Sequence, residues 1–323
     1  MKRLIGKTIL VTGAAGFIGF HTSRRLLDLG LKIVGIDSVN DYYDVNLKNA
    51  RLKILQDQEN FSFYRHDLCD FENLQKVFVT ESPNMVLNLA AQAGVRYSIE
   101  NPFVYQRSNL EGFLNVLECC RNNAVENLVY ASSSSVYGNN DQFPFCESQN
   151  VDHPISLYAA TKKANELMAH TYSHLYDLPT SGLRFFTVYG PYGRPDMALF
   201  IFTKAILEGK EIQIYNNGQM FRDFTYIDDI VDGVIAALNQ PRKYEIFNLG
   251  NNKSEKLSYF IECIEEALGI CANKRFMPIQ PGDVPKTAAD IEKARQLLNY
   301  RPKTCIKEGI GHFVNWYRDF YEK

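Results

Sequence analysis

The chain has no long hydrophobic run, no excess of one charge, no internal repeat and no low-complexity segment. Each absence removes a class of protein. No apolar stretch approaches the roughly 20 residues of a bilayer-spanning helix, so no membrane partner is expected. A net charge of -2 and a pI near 6.3 offer no general attraction to nucleic acid. Seven cysteines, an odd number without a Cys-x-x-Cys pair, make no disulfide framework. Free thiols in a reducing cytoplasm are expected instead. His170 and His174 stand one helical turn apart, but HTYSH is not His-Glu-x-x-His and has no third ligand. No metal is expected there. The opening MKRLIGKTILVTGAAGFIGF sets basic residues before an apolar run, as a secretion signal does. The same run carries a phosphate-loop motif, and the signal reading is set aside.

What is present suffices for a sizeable core: 323 residues, 46% of them hydrophobic. Short apolar runs alternate with helical patterns. Lys7–Gly13, Lys32–Asp37, Phe61–Asp67, Asn84–Gln92 and Asn127–Ser133 read as strands. Helices are expected at His21–Gly30, Glu72–Val79, Val104–Asn122 and Leu157–Leu175. This order predicts an α/β fold, a doubly wound parallel sheet of the Rossmann type. Ser181–Gly190 and Tyr244–Gly250 extend the sheet. After Pro191, turn-rich stretches such as GPYGRPDM and QPGDVPK predict a smaller C-terminal α/β lobe that faces the substrate. The expected division is residues 1–180 for the dinucleotide and mainly 181–323 for the lobe, with the strand at 244–250 returning to the first unit.

Gly13, Gly16 and Gly19 form G-x-x-G-x-x-G between the first strand and the first helix. Such glycines allow a tight turn, close approach of backbone to a pyrophosphate, and close helix–strand packing. The helix N-terminus adds favourable charge for phosphate. Asp37 follows Gly19 by eighteen residues and ends the second strand, the place of the carboxylate that bonds an adenosine ribose. That carboxylate repels a 2′-phosphate and favours NAD over NADP. Asp67, ending the third strand, is an adenine contact or a turn cap.

Tyr158 and Lys162 share a helix face at i, i+4. An ammonium and a cationic nicotinamide beside a phenol would favour its ionised form, making Tyr158 a proton acceptor near neutral pH. Upstream, YASSSSVYG ends a strand in four serines, Ser132–Ser135.

With these motifs the chain resembles the extended short-chain dehydrogenase/reductases, and among them the NAD-dependent nucleotide-sugar 4-epimerases. The likeness runs from about Lys7 to the C-terminus. It includes LAAQAGVRYS (Leu89–Ser98), RFFTVYGPYGRPDMA (Arg184–Ala198), RDFTYIDD (Arg222–Asp229) and QPGDV (Gln280–Val284). AAQAGVRYS with GPYGRPDM looks most like the UDP-glucuronate 4-epimerases. The resemblance implies Ser133, Tyr158 and Lys162 as the catalytic set, with Ser133 on the sugar O4. It implies Phe17, Ile18, Leu68, Leu89, Ala90, Ala91 and Asn109 as further NAD contacts. It places Arg222 on the diphosphate of a UDP-sugar and Asp283 on the uridine ribose; Arg194, whose guanidinium fork matches phosphate oxygens, is a second diphosphate candidate or a surface ion pair, and Tyr215 is a candidate beneath uracil. It also implies a homodimer through the helices at 104–122 and 157–175.

Oxidised at C4, a UDP-uronic acid is a β-keto acid that readily loses CO2. Ser134, Ser135 and Thr187, with Arg96 beside them, are expected to hold the carboxylate away from the orientation that allows this. Related dehydratases carry Asp-Glu where this chain has Ser134 and Ser135. Galactose-type epimerases have Arg and Asn at the positions of Gln280 and Thr187. Epimerisation of UDP-glucose or UDP-N-acetylglucosamine, and a non-catalytic NAD-binding scaffold, are the alternatives the sequence leaves open.

Overall fold

The computed structural model describes residues 3–280 and 284–321. In the first half, strands β1 (Thr8–Thr12), β2 (Lys32–Ile36), β3 (Phe61–Tyr64), β4 (Met85–Asn88) and β5 (Asn127–Ser133) alternate with helices. Those helices are α1 (Phe17–Asp28), α2 (Val45–Gln56), α3 (Phe71–Glu81), the short α4 (Tyr97–Glu100) and α5 (Pro102–Tyr105), and α6 (Gly112–Asn122). Next come α7 (Leu157–Tyr176), β6 (Thr180–Phe185), β7 (Thr187–Tyr189), α8 (Ala198–Leu207), β8 (Glu211–Ile214), β9 (Phe221–Tyr226) and α9 (Ile227–Asn239). The chain ends with β10 (Tyr244–Leu249), β11 (Ser254–Lys256), α10 (Leu257–Leu268), β12 (Asn273–Phe276), α11 (Glu292–Leu298) and α12 (Ile306–Tyr321).

Seven parallel strands form the main sheet in the order β10-β6-β5-β4-β1-β2-β3. Strand residues alternate between two apolar layers: Ile9 and Val11 join one core, and Leu10 joins the other. Both faces are therefore covered, which is why these strands read as unbroken apolar runs. Strand order reverses between β1 and β4, and there the connections leave a crevice at the carboxyl ends.

Three expectations are corrected. The run 181–190 is two strands. β6 ends at Phe185, and β7 leaves the main sheet to pair with β9 in a second sheet, β11-β9-β7. The helix expected at 104–122 is broken by a π-helical turn, Gln106–Glu111. Helix α2 was not expected at all. Its buried residues include Lys48 and Arg51, so charged side chains occupy two core-facing positions and erase the apolar period.

Candidate active site

The glycine loop is built by contact. Gly13 has φ +70°, and a Cβ on it would lie 2.8 Å from the Ala90 nitrogen. At Gly19 a Cβ would stand 2.1 Å from the Gly13 carbonyl oxygen, well inside van der Waals contact. Helix α1 thus starts hard against the turn, leaving its free N–H groups toward the crevice. The Gly19→Ala variant is expected to lose bound dinucleotide altogether, read from the absorbance of protein purified without added cofactor.

A cleft of about 420 Å³ opens over this loop. Gly13, Gly16, Phe17, Ile18 and Gly19 line one end, with Asp37, Asp67 and Leu68. Asp37 accepts hydrogen bonds from the N–H of Ala15 at 3.0 Å and of Val39 at 2.8 Å. Burial raises its pKa, while Val39, Lys48 and Ala15 pull it back down. Asp67 lines the cleft and caps the turn, accepting from the Cys69 N–H at 3.0 Å.

Leu89, Ala90 and Ala91 continue the wall to Ser133, Ser134, Ser135, Tyr158, Lys162, Thr187 and Arg194. Ser156 caps α7 by accepting from the Ala159 N–H at 3.1 Å, which sets Tyr158 in the first turn. Lys162, one turn on, is buried and donates to the Ala131 carbonyl at 2.9 Å. The four serines separate by role. Ser132 donates to Glu166 at 2.7 Å, Ser133 accepts from the Ser135 N–H at 3.1 Å, and Ser134 opens a 3-10 turn against the cleft.

Burial dominates and raises the Tyr158 phenol above its usual range; the Ser133 hydrogen bond and the Arg194 charge pull it partly back. Burial also lowers Lys162 to about 8, because a desolvated ammonium is disfavoured. A lysine depressed in the fold contributes stability at pH above its unfolded value of about 10.4, and loses that contribution as pH falls through about 8. Carbon-13 resonances of the Lys162 ε-methylene in NAD-free protein are expected to titrate near pH 8.

Four expected contacts do not line the cleft. Asn109 sits behind the wall, donating to the Gln92 carbonyl and the Thr161 hydroxyl at 3.0 Å each. Buried and fully engaged, it braces the β4 loop against α7 and does not line the cleft. Arg96 and Tyr215 lie outside the cleft, with the guanidinium 5.4 Å from the Tyr215 ring centre. Arg222, on β9, also lies outside and bonds the Phe221 carbonyl at 3.0 Å. Asp283 falls outside the described residues. Arg194 is no isolated surface cation: it forks onto Asp196, which also accepts from Tyr42 at 3.2 Å.

Sequence reading missed Tyr42, Tyr43, Lys48 and Gly94, which also line the cleft. It missed Tyr105, whose ring meets Tyr158 edge to face at 6.1 Å and whose hydroxyl donates to Ala93 at 2.9 Å. Only Gly94, with φ +105°, carried a local signal, as a glycine inside an otherwise apolar-polar loop. No group of three metal-binding side chains occurs among the described residues.

The family model described as NAD dependent epimerase/dehydratase matches residues 9–250. Protein CapI of Staphylococcus aureus is 53% identical, covering 98% of this chain and 99% of its own. The UDP-glucuronate 4-epimerase of Thermodesulfobacterium geofontis is 48% identical, covering 97% of each chain. The crystal structure of UDP-glucuronic acid 4-epimerase from Bacillus cereus, in complex with UDP-glucuronic acid and NAD, superposes with a TM-score of 0.92. It is 35% identical and covers 97% of this chain and 100% of that one.

Proposed function

This chain belongs to the NAD dependent epimerase/dehydratase family, and on that footing we infer that it interconverts UDP-glucuronate and its C4 epimer, UDP-galacturonate, with NAD as cofactor. One observation carries the reading. A single cleft gathers Ser133, Tyr158 and Lys162 with the hydroxyls of Ser134, Ser135 and Thr187, over a loop that only glycine can make.

The residues fit the dinucleotide. Gly13, Gly16 and Gly19 let the loop close on Ala90 and on itself, so that its backbone lines the cleft where a diphosphate would lie, and Asp37 suits a ribose diol. Bound NAD supplies the hydride acceptor and donor, together with a positive charge. Tyr158 takes the O4 proton as C4 is oxidised and returns it as C4 is reduced on the other face, so the net reaction is an inversion. Ser133 holds O4. Lys162 keeps its ammonium on the Ala131 carbonyl and lends charge to the phenol. Ser134, Ser135 and Thr187 restrain the uronate carboxylate, and Arg194 balances anionic charge. The uridine end is assigned to the lobe of residues 181–323, on the side of Tyr215 and Arg222, with Asp283 on the ribose and Arg96 beside the uronate carboxylate.

The test is UDP-glucuronate carrying deuterium at C4. UDP-galacturonate with the label retained, and without UDP-pentose or CO2, is expected. Label lost to water, or pentose as the main product, overturns the reading.

The assembly is a homodimer. Helix α7 exposes Leu157, Leu167 and Leu175, and Leu114 of α6 is exposed as well. A face of that kind is what a partner helix pair covers. Leu167→Arg is expected to halve the mass measured by sedimentation. The reducing cytoplasm suits its seven free thiols. No helix among the described residues is long and apolar enough to cross a membrane.

A further inference from the structure

Arg51 is wholly buried, and every acceptor it has is neutral. One nitrogen donates to the Ala15 carbonyl and the Tyr43 hydroxyl, both at 2.7 Å. The other donates to the carbonyls of Tyr192 at 2.6 Å and Gly193 at 3.3 Å. These acceptors belong to three loops. Ala15 lies inside the glycine loop, Tyr43 in the loop between β2 and α2, and Tyr192 and Gly193 just before Arg194. No carboxylate bonds it directly, although Asp37 lies within its electrostatic reach, and a buried guanidinium held only by neutral acceptors is costly.

The loop it holds needs holding. Tyr192 has φ +56°, a left-handed conformation that non-glycine residues rarely adopt. A second clamp from the same side is His21, whose ring nitrogen lies 2.8 Å from the Pro191 carbonyl. The sequence after these residues places Arg194 in the cleft, where its charge acts on Tyr158. One guanidinium therefore ties the floor of the dinucleotide site to the loop that delivers the cleft's cation.

We propose that Arg51 is a positioning residue that couples the two halves of the site, holding the glycine loop and the Tyr192–Arg194 loop in one arrangement so that NAD and the UDP moiety strengthen each other's binding. This rests on the function proposed above. The lysine of Arg51→Lys keeps the charge, but its single nitrogen cannot serve acceptors in three loops. Both NAD and UDP are expected to suffer. NAD should leave during gel filtration about tenfold faster. The UDP dissociation constant, measured by calorimetry on NAD-loaded molecules, should rise about tenfold, as for one lost charge-assisted hydrogen bond.

A merely structural arginine would lower the melting temperature and the active fraction while leaving UDP affinity of loaded molecules unchanged. That result, or a loss confined to one ligand, overturns the coupling. Should the variant not fold, the wild-type protein decides by hydrogen exchange. Peptides over Tyr192 and Gly193, which do not line the cleft, must exchange faster once NAD is stripped. Equal exchange refutes the proposal. Wild-type protein that carries NAD and binds UDP but leaves UDP-glucuronate unchanged would refute the proposed function alone.

Discussion

Turnover of UDP-glucuronate falls by about a thousandfold in Tyr158→Phe, the size of effect expected when a general acid–base is removed. Bound NAD stays in place. The phenylalanine ring keeps the edge-to-face contact with Tyr105 and the first turn of α7, since Ser156 still caps the Ala159 N–H. Only the hydroxyl is lost, and with it the acceptor of the O4 proton. The same hydroxyl is held above its ordinary range by burial in the protein alone. Its titration is therefore expected to move downward on NAD binding, followed by phenolate absorbance in wild type and missing in the variant. Loss of NAD together with activity would instead show the tyrosine serving the cofactor site. Single-turnover kinetics on variant protein with its NAD content measured separates the two.

The second large effect is on stability. Glu166 lies one turn beyond Lys162 on α7 and meets Arg184 of β6 through two hydrogen bonds of 2.8 Å. Each side chain is only 3% exposed. Ser132 adds a third bond to the same carboxylate, and Arg184 stacks 4.9 Å from the Tyr137 ring centre. Glu166→Ala leaves a guanidinium buried without its counter-charge. Removing one partner of such a pair costs about 3–5 kcal/mol. A fall in melting temperature of roughly 5–15 °C is expected. Replacing both partners with methionine should recover most of it, because the desolvation cost of two charges disappears along with their attraction. If the single variant melts within about a degree of wild type, the pair is not holding α7 to the sheet.

These two effects show what is written locally and what is not. Tyr158 and Lys162 lie on one helix at one-turn spacing, and the three glycines lie within seven residues joining β1 to the first turn of α1. Each pattern is complete within a short stretch of chain, so the residues alone indicate its chemistry. The same holds for Asp37 at the end of β2, and for the alternation of strand and helix that yields the doubly wound sheet.

Other features depend on neighbours far along the chain. Four identical serines in a row, all lining the cleft, do not disclose that the Ser132 hydroxyl is engaged by Glu166; the fold of β5 against α7 decides it. Arg51 reads as an ordinary helix-surface cation until three loops close over it. The strand at 181–190 looks continuous, yet pairing with β9 draws its second half into another sheet. The opposing pull of burial on the Tyr158 phenol is hidden in the sequence for the same reason. Spacing indicates which charge is near, but burial sets how strongly any charge is felt, and burial is a property of the packed molecule. The amino-acid order by itself determined the sheet, the dinucleotide loop and the tyrosine–lysine pair, because each is encoded over a few consecutive residues. Tertiary structure alone decided the electrostatics of the cleft, the partners of its buried charges and the joining of its two halves, because those depend on desolvation and on contacts between distant segments.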